Sequence, residues 1–216
     1  MNWSWSAAED FMPLFWDGVL VTLQALLWGA LISFSLGLVW AIAQRSTQKW
    51  ISWPVTVFTE FIRNTPLLVQ LFFLFFVVPE WGPSMSPLTT GIVGLGLHYS
   101  TYTAEVYRAG IDAVPVGQWE ASTALSLPRG HTWRAVILPQ AIRRVIPALG
   151  NYVVAMLKDS PMIFVVGAME MLNQGRTFAN TTTNYVEAYT IVGIAFIVIA
   201  YPASVLLRVL ERRLVR

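Results

Sequence analysis

Residues 18–44 read GVLVTLQALLWGALISFSLGLVWAIAQ, and this stretch decides the fold. No charged side chain interrupts it, and a helix needs roughly 20 mostly apolar residues to cross the hydrocarbon core of a bilayer. Near the other end, Ala188 to Leu207 (AYTIVGIAFIVIAYPASVLL) is equally free of charge. Between them lie Trp53 to Val78, with Glu60 and Arg63 in its first half, and Pro87 to Ala104, running on to about Gly110. Composition agrees. The 216 residues are 56% hydrophobic and 12% charged, against about 25% charged in a soluble domain. Trp 10 and Phe 12 add the aromatic content expected of spans and bilayer interfaces.

The segment from Gly110 to Ala188 is less regular. Ile137 to Leu157 is long enough to cross, but Arg143 and Arg144 interrupt it, so the crossing part is expected to start near Val145. Pro161 to Met169 follows Lys158 and Asp159 and is too short to span. Such a piece is a re-entrant or surface segment, tolerated where protein or a cavity surrounds it. The expected fold class is therefore an all-α integral membrane protein of about five transmembrane helices. Residues 1–216 form one transmembrane domain, with no internal repeat or linker and one large excursion over residues 112–140.

Basic residues orient the bundle. With five spans, Arg45, Lys49, Arg108, Arg129, Arg134, Arg143, Arg144, Arg208, Arg212, Arg213 and Arg216 fall on one side. The other side holds Lys158 and Arg176 with Glu9, Asp10, Asp17 and Glu80. The positive-inside rule then puts the N-terminus outside and the C-terminus in the cytoplasm. Topology thus accounts for the net charge of +2, and no nucleic-acid partner is expected. The first residues, MNWSWSAAEDFMPLFWDG, have no basic n-region, so no cleavable signal peptide is expected. With Cys 0, and only His98 and His131 as histidines, no metal site is expected either.

The excursion, DAVPVGQWEASTALSLPRGHTWRAVILPQ, is amphipathic and flanked by Pro115 and Pro139. Two readings are open: a helix lying in the membrane interface, or a docking helix presented to a soluble partner.

Here the sequence resembles a known family. Glu120-Ala121, Ser126, Val136 and Leu138-Pro139 match in spacing the cytoplasmic signature of bacterial ABC importer permeases: Glu-Ala-Ala, three residues, Gly, nine residues, Ile, one residue, Leu-Pro. Ser122 replaces the second Ala, Ser126 the Gly and Val136 the Ile. Arg63-Asn64-Thr65-Pro66-Leu67-Leu68-Val69-Gln70 and Tyr102 to Ile111 resemble stretches of polar amino acid permeases of the histidine and glutamine type. Gly117 to Ala121, Leu138 to Ala141 and Leu157-Lys158-Asp159-Ser160 fit as well. The resemblance runs from about residue 15 to 213. It implies a type I ABC importer transmembrane domain, carrying a polar amino acid or related zwitterion, with an ectoine-type permease as a special case. It implies ABC ATPase subunits as partners, which bind ATP and Mg, together with a second permease subunit and an extracytoplasmic solute-binding protein. It also implies the cytoplasmic (inner) membrane. The coupling residues would be Gly117, Trp119, Glu120, Ala121, Ser122, Leu125 and Ser126, with Trp119, Ala121 and Leu125 filling a groove on the ATPase.

The chain itself should not hydrolyse ATP. It lacks a Gly-x-x-x-x-Gly-Lys-Ser/Thr loop, and neither Lys49 nor Lys158 follows one. No catalytic residues are expected. Gly94-Leu95-Gly96 lacks the third glycine of a dinucleotide fingerprint and reads as helix packing. The alternative is a self-sufficient channel or secondary carrier, but carriers show repeated halves and none is evident.

Ionisable groups inside a membrane are costly and functional by default. Glu60 and Arg63, like Glu105 and Arg108, are three apart and are expected to pair on one helix face. Pro66 should kink its span. Candidates for the solute path are Gln70, Asn151, Lys158, Asp159 and Ser160. Asp159 suits a solute ammonium, and Lys158 or a helix N-terminus a carboxylate. A structural Lys158–Asp159 pair with neighbours on another span is the rival reading. His98 reads as a hydrogen-bonded packing residue and His131 as exposed.

Overall fold

The computed structural model describes residues 3–214, so Arg216 and the outer limits of the expected 1–216 domain lie outside it. Nine α-helical stretches follow one another. They are α1 (Trp5–Gln44), α2 (Lys49–Asn64), α3 (Leu67–Phe72), α4 (Pro87–Asp112), α5 (Val116–Ala124), α6 (Arg129–His131), α7 (Leu138–Asp159), α8 (Met171–Thr182) and α9 (Tyr185–Leu214). Wide π turns (Phe73–Val77, Thr132–Ile137) and 3₁₀ turns (Val78–Glu80, Ser160–Val166) join several of them, and no strand occurs among the described residues.

The first span is longer than its apolar core. Helix α1 runs over 40 residues, about 60 Å, and begins well before Gly18. Ser4 caps it by accepting from the Ala7 N–H at 3.3 Å. It lies against α4 along most of its length. Glycine permits that approach: a Cβ at Gly37 would sit 2.1 Å from Thr103 Oγ1, where Thr103 now donates to the Ser33 carbonyl at 2.8 Å.

The second span is broken rather than kinked. Lys49–Asn64 and the following Leu67–Glu80 meet at 105°. A residue preceding proline is pushed out of the helical region, and Thr65 is extended (φ −98, ψ 132). Pro66 is extended in turn (φ −57, ψ 136), so two residues leave the helix and the chain turns a corner.

By length and apolarity, Trp5–Gln44, Arg129–Val166 and Tyr185–Arg213 are able to cross a membrane, and the bent pair makes a fourth. Helix α4, at 26 residues, is long enough but too polar to qualify. The reason is its surroundings. It is enclosed by α1, α2, α3 and α7, and its Ser100, Thr101 and Thr103 hydroxyls bond backbone carbonyls. A helix sheathed by protein has no need of an apolar circumference. Counting α4, the spans number about five.

The helix that holds the fourth span starts earlier than Val145. The helix is already under way from Arg129. Arg143 and Arg144 do not interrupt it because both are exposed, and the Arg144 guanidinium donates to the Ala113 carbonyl. Pro139 lacks the N–H that would close the preceding turn, and a π turn sits there instead. Beyond Asp159, the short apolar piece is a 3₁₀ turn that ends at Gly167 in the left-handed region (φ 87). Ser160 and Ile163 in it are fully buried, so the segment is walled in part by protein. Large exposed apolar side chains, such as Leu27, Leu31, Ile42, Ile197, Val198 and Leu206, line α1 and α9 as a lipid-facing surface requires.

Candidate functional site

At the corner between α2 and α3 lies a cleft of about 420 Å³. Arg63, Asn64 and Thr65 contribute from the end of α2, His98 and Tyr102 from α4, and Asp159 and Met162 from the end of α7 and the 3₁₀ turn. Asp159 Oδ2 accepts a hydrogen bond from the Tyr99 hydroxyl at 2.7 Å. The rings of Tyr99, Tyr102 and Tyr152 pack on one another with centroids 5.7–6.2 Å apart. The cleft thus offers a carboxylate, a guanidinium, an imidazole and a tyrosine at a break in a membrane helix.

Of the two expected charge pairs, Glu105–Arg108 forms and Glu60–Arg63 does not. Glu60 faces outward, and Arg63 Nη1 turns to Glu105 Oε1 on α4 at 3.2 Å. The same oxygen meets Arg108 Nη1 at 3.1 Å. Arg108 also donates to Gln44 Oε1 at 3.2 Å, whose amide nitrogen donates to Thr59 Oγ1 at 2.7 Å. At Arg63 a contact across helices overrides the i, i+3 rule, because α2 and α4 lie side by side at this level, while Glu105 and Arg108 obey it. The result is a clasp joining α1, α2 and α4 beside the cleft, extended by an Arg45–Asp112 ion pair.

Of the five residues expected on the solute path, only Asp159 lines the cleft. Lys158 is exposed and does not pair with Asp159, because successive helical positions point apart. Asn151 is exposed on α7. Ser160 turns inward and bonds the Leu157 carbonyl at 2.8 Å. Gln70 is buried behind His98. Sequence reasoning missed His98 and Tyr102 as lining groups. Both lie one helical turn apart on α4, a spacing that was legible but carries no charge to draw attention.

The excursion is built on a small core of its own. Val114, Ile137 and Ala141 are buried, with Trp119 and Trp133 packed against them. The two indoles meet edge to face at 5.2 Å. Trp119, expected to point at a partner, is therefore partly used within the chain. Ser122 is buried as well, at 3% exposure. Gly117, Glu120, Ala121, Leu125 and Ser126 remain outside, and Leu125 is 72% exposed. Helix α5 ends in a Schellman motif: Ser126 N–H donates to Thr123 O at 2.9 Å and Leu127 N–H to Ser122 O at 3.0 Å. Ser126 itself is left-handed (φ 54), so serine holds the conformation that glycine would take without strain. A cleft of about 650 Å³ opens between α5 and the start of the next helix, bordered by Trp119, Glu120, Thr123, Arg129 and Trp133.

Residues 33–216 match the family described as binding-protein-dependent transport system inner membrane component. The chain belongs to that family. A probable amino-acid ABC transporter permease of Sinorhizobium fredii is 44% identical to it over 94% of this chain and 88% of its own length. The glutamine transport system permease GlnP of Escherichia coli is 34% identical over 99% of each chain. The arginine transport system permease ArtQ of Bacillus subtilis is 30% identical over 99% of this chain and 98% of its own. Among solved structures, that of an amino acid ABC transporter with histidines superposes with a TM-score of 0.92 at 35% identity, covering 99% of this chain and 100% of the other. The inward-facing MetNI methionine transporter, at 22% identity and a TM-score of 0.80 over 96% and 99%, shares the fold.

The protein is thus a permease subunit of an ATP-driven importer, with the type I importer transmembrane fold. It is a transport component whose ATPase is a separate subunit. The expected family, fold class and function hold.

Proposed function

We propose that this permease carries a polar amino acid or related zwitterion through the cleft at the α2–α3 corner. One observation carries the reading: an acidic group, Asp159, and a basic group, Arg63, line the same cleft with Tyr102 and His98. An amino acid needs an acceptor for its ammonium and a donor for its carboxylate, and relatives named for glutamine and arginine transport point the same way. The partners in this reading are ABC ATPase subunits docked on residues 116–127, a second permease (a further copy or a sister subunit), and an extracytoplasmic solute-binding protein. ATP and Mg belong to the ATPase. In proteoliposomes holding the assembled complex, a polar amino acid presented with the binding protein should stimulate ATP hydrolysis and be taken up. Flux through the permease alone, without ATPase or ATP, would instead support a channel or carrier.

We also infer a single transmembrane domain in the cytoplasmic (inner) membrane, with its N-terminus outside and C-terminus inside. The one-sided distribution of Arg and Lys supports it. Because the chain has Cys 0, single-cysteine variants need no prior removal. Ser84→Cys, in an exposed loop, should react with an impermeant thiol reagent on intact cells. Thr47→Cys should react only after permeabilisation, and the opposite pattern would reverse the orientation.

A further inference from the structure

Gln70 is 6% exposed and lies where the broken span meets the cleft. Its Nε2 is 2.7 Å from the Ile62 carbonyl, which also accepts the Thr65 N–H at 3.2 Å, and 2.9 Å from the Thr65 carbonyl at the corner. It is also 3.0 Å from His98 Nδ1. The orientation of this amide is settled by its neighbours, since a flipped oxygen would face two carbonyl oxygens. The nitrogen has two hydrogens for three acceptors, so one hydrogen is shared. The amide oxygen, by contrast, has no partner among the described residues. A buried acceptor left empty is costly, and here the cost accompanies a fully engaged donor on the other side of the same group.

An amide nitrogen can only donate, so His98 Nδ1 must accept, and the proton of the neutral ring sits on Nε2. His98 lines the cleft, and among the described residues its Nε2 takes no protein partner. We propose that Gln70 is a positioning residue. It holds His98 in the tautomer that presents an Nε2–H donor to the solute's carboxylate, and the same amide nitrogen ties that donor to the corner between α2 and α3. Deepening the solute assignment made above, the proposal rests on it. It divides the labour in the cleft: Asp159 takes the ammonium, while His98, aided by Arg63, takes the carboxylate. Any change in the corner's geometry would reach the solute through one amide.

The alternative is that Gln70 merely plugs the break. Two measurements separate the roles. The chain has His 2, so in a His131→Asn background His98 is its single histidine. With the full chain labelled with ¹⁵N-histidine in lipid nanodiscs, the neutral ring should show an unprotonated Nδ1 and a protonated Nε2. In Gln70→Glu the side chain offers only acceptors, so the protonation pattern should reverse. A protonated Nδ1 in the parent protein, or an unchanged pattern in Gln70→Glu, overturns the proposal. The second measurement uses the assembled complex with its binding protein and a panel of L-amino acids and their α-carboxamides as probes. Gln70→Leu should lower the preference for carboxylate over carboxamide about tenfold, the size of one charge-assisted hydrogen bond. A plug would weaken both probes equally, and that outcome also overturns the assignment. If no amino acid stimulates the parent complex, the solute reading itself fails and takes the carboxylate contact with it, while the nitrogen spectra still decide the tautomer.

Discussion

Asp159→Asn is expected to remove coupled uptake almost completely while leaving the importer assembled. The substitution keeps the side chain's volume, and an asparagine oxygen can still accept from the Tyr99 hydroxyl that now bonds Asp159 at 2.7 Å. What is lost is the charge. Breaking one side of a desolvated ion pair costs about 2–5 kcal/mol, or roughly thirtyfold to several-thousandfold in affinity at 1.4 kcal/mol per decade. Tyr99→Phe should have a smaller effect, since it frees the carboxylate without neutralising it. The measurement is radiolabelled uptake in proteoliposomes, with gel filtration of the complex as the check on assembly. Uptake by Asp159→Asn at the parent rate would move the solute path away from this cleft.

Leu125→Asp combined with Glu120→Lys is expected to release the ATPase. Both residues stand outside the excursion's own core, and the leucine is 72% exposed. A handful of well-packed side chains near the centre of an interface carry most of its energy, and an unpaired charge buried there is costly. A buried aspartate in place of Leu125 should therefore lower ATPase retention in a pull-down more than tenfold, with insertion of the permease unchanged because no span is touched. Trp119→Ala should also lose ATPase, but through the loss of its edge-to-face partner Trp133, and with faster tryptic cleavage at Arg129. Ser126→Gly should do the opposite. It relieves about 1 kcal/mol of left-handed strain and should slow that cleavage while retaining the ATPase. If the double variant holds the ATPase and transports normally, α5 is only a membrane-surface element.

The parts legible in the sequence were those set by one physical variable at a time. Apolar runs announced the spans because nothing else tolerates hydrocarbon, and the spacing from Glu120 to Pro139 marked the excursion. Helix α4 was legible by length although its Thr and Ser content hides it from an apolarity test. The remainder depended on which helices become neighbours. Arg63 has Glu60 within reach on its own helix, yet the winning partner is Glu105 on another, a choice made by packing. Gln70 read as a path residue because it is polar inside an apolar run. Its real surroundings, the two carbonyls of Ile62 and Thr65 and an imidazole, exist only once Thr65 and Pro66 have turned the corner. Trp119 read as outward-facing because amphipathicity says which residues share a face and not whether Trp133 will cover it.

The 40-residue α1 has a mechanical consequence. Its length of about 60 Å is twice the hydrocarbon thickness. Ser4, just before its first turn, is tied to α9 by an N–H donated to the buried Glu187 at 2.7 Å, and Thr22 accepts from Met171 N–H at the head of α8. At the other end, Gln44 holds Arg108 and Arg45 pairs with Asp112. Pro13 lies inside the helix near its N-terminal end, and the stretch from Gly18 to Gln44, about 40 Å long, contains no proline at which to flex. A tilt of about 10° about one end of that stretch would swing its other end by about 7 Å. A stroke delivered at the Arg45 end would therefore pass along a stiff stretch as far as Thr22 and the head of α8, whereas Pro13 stands between that stretch and the Ser4–Glu187 tie to α9.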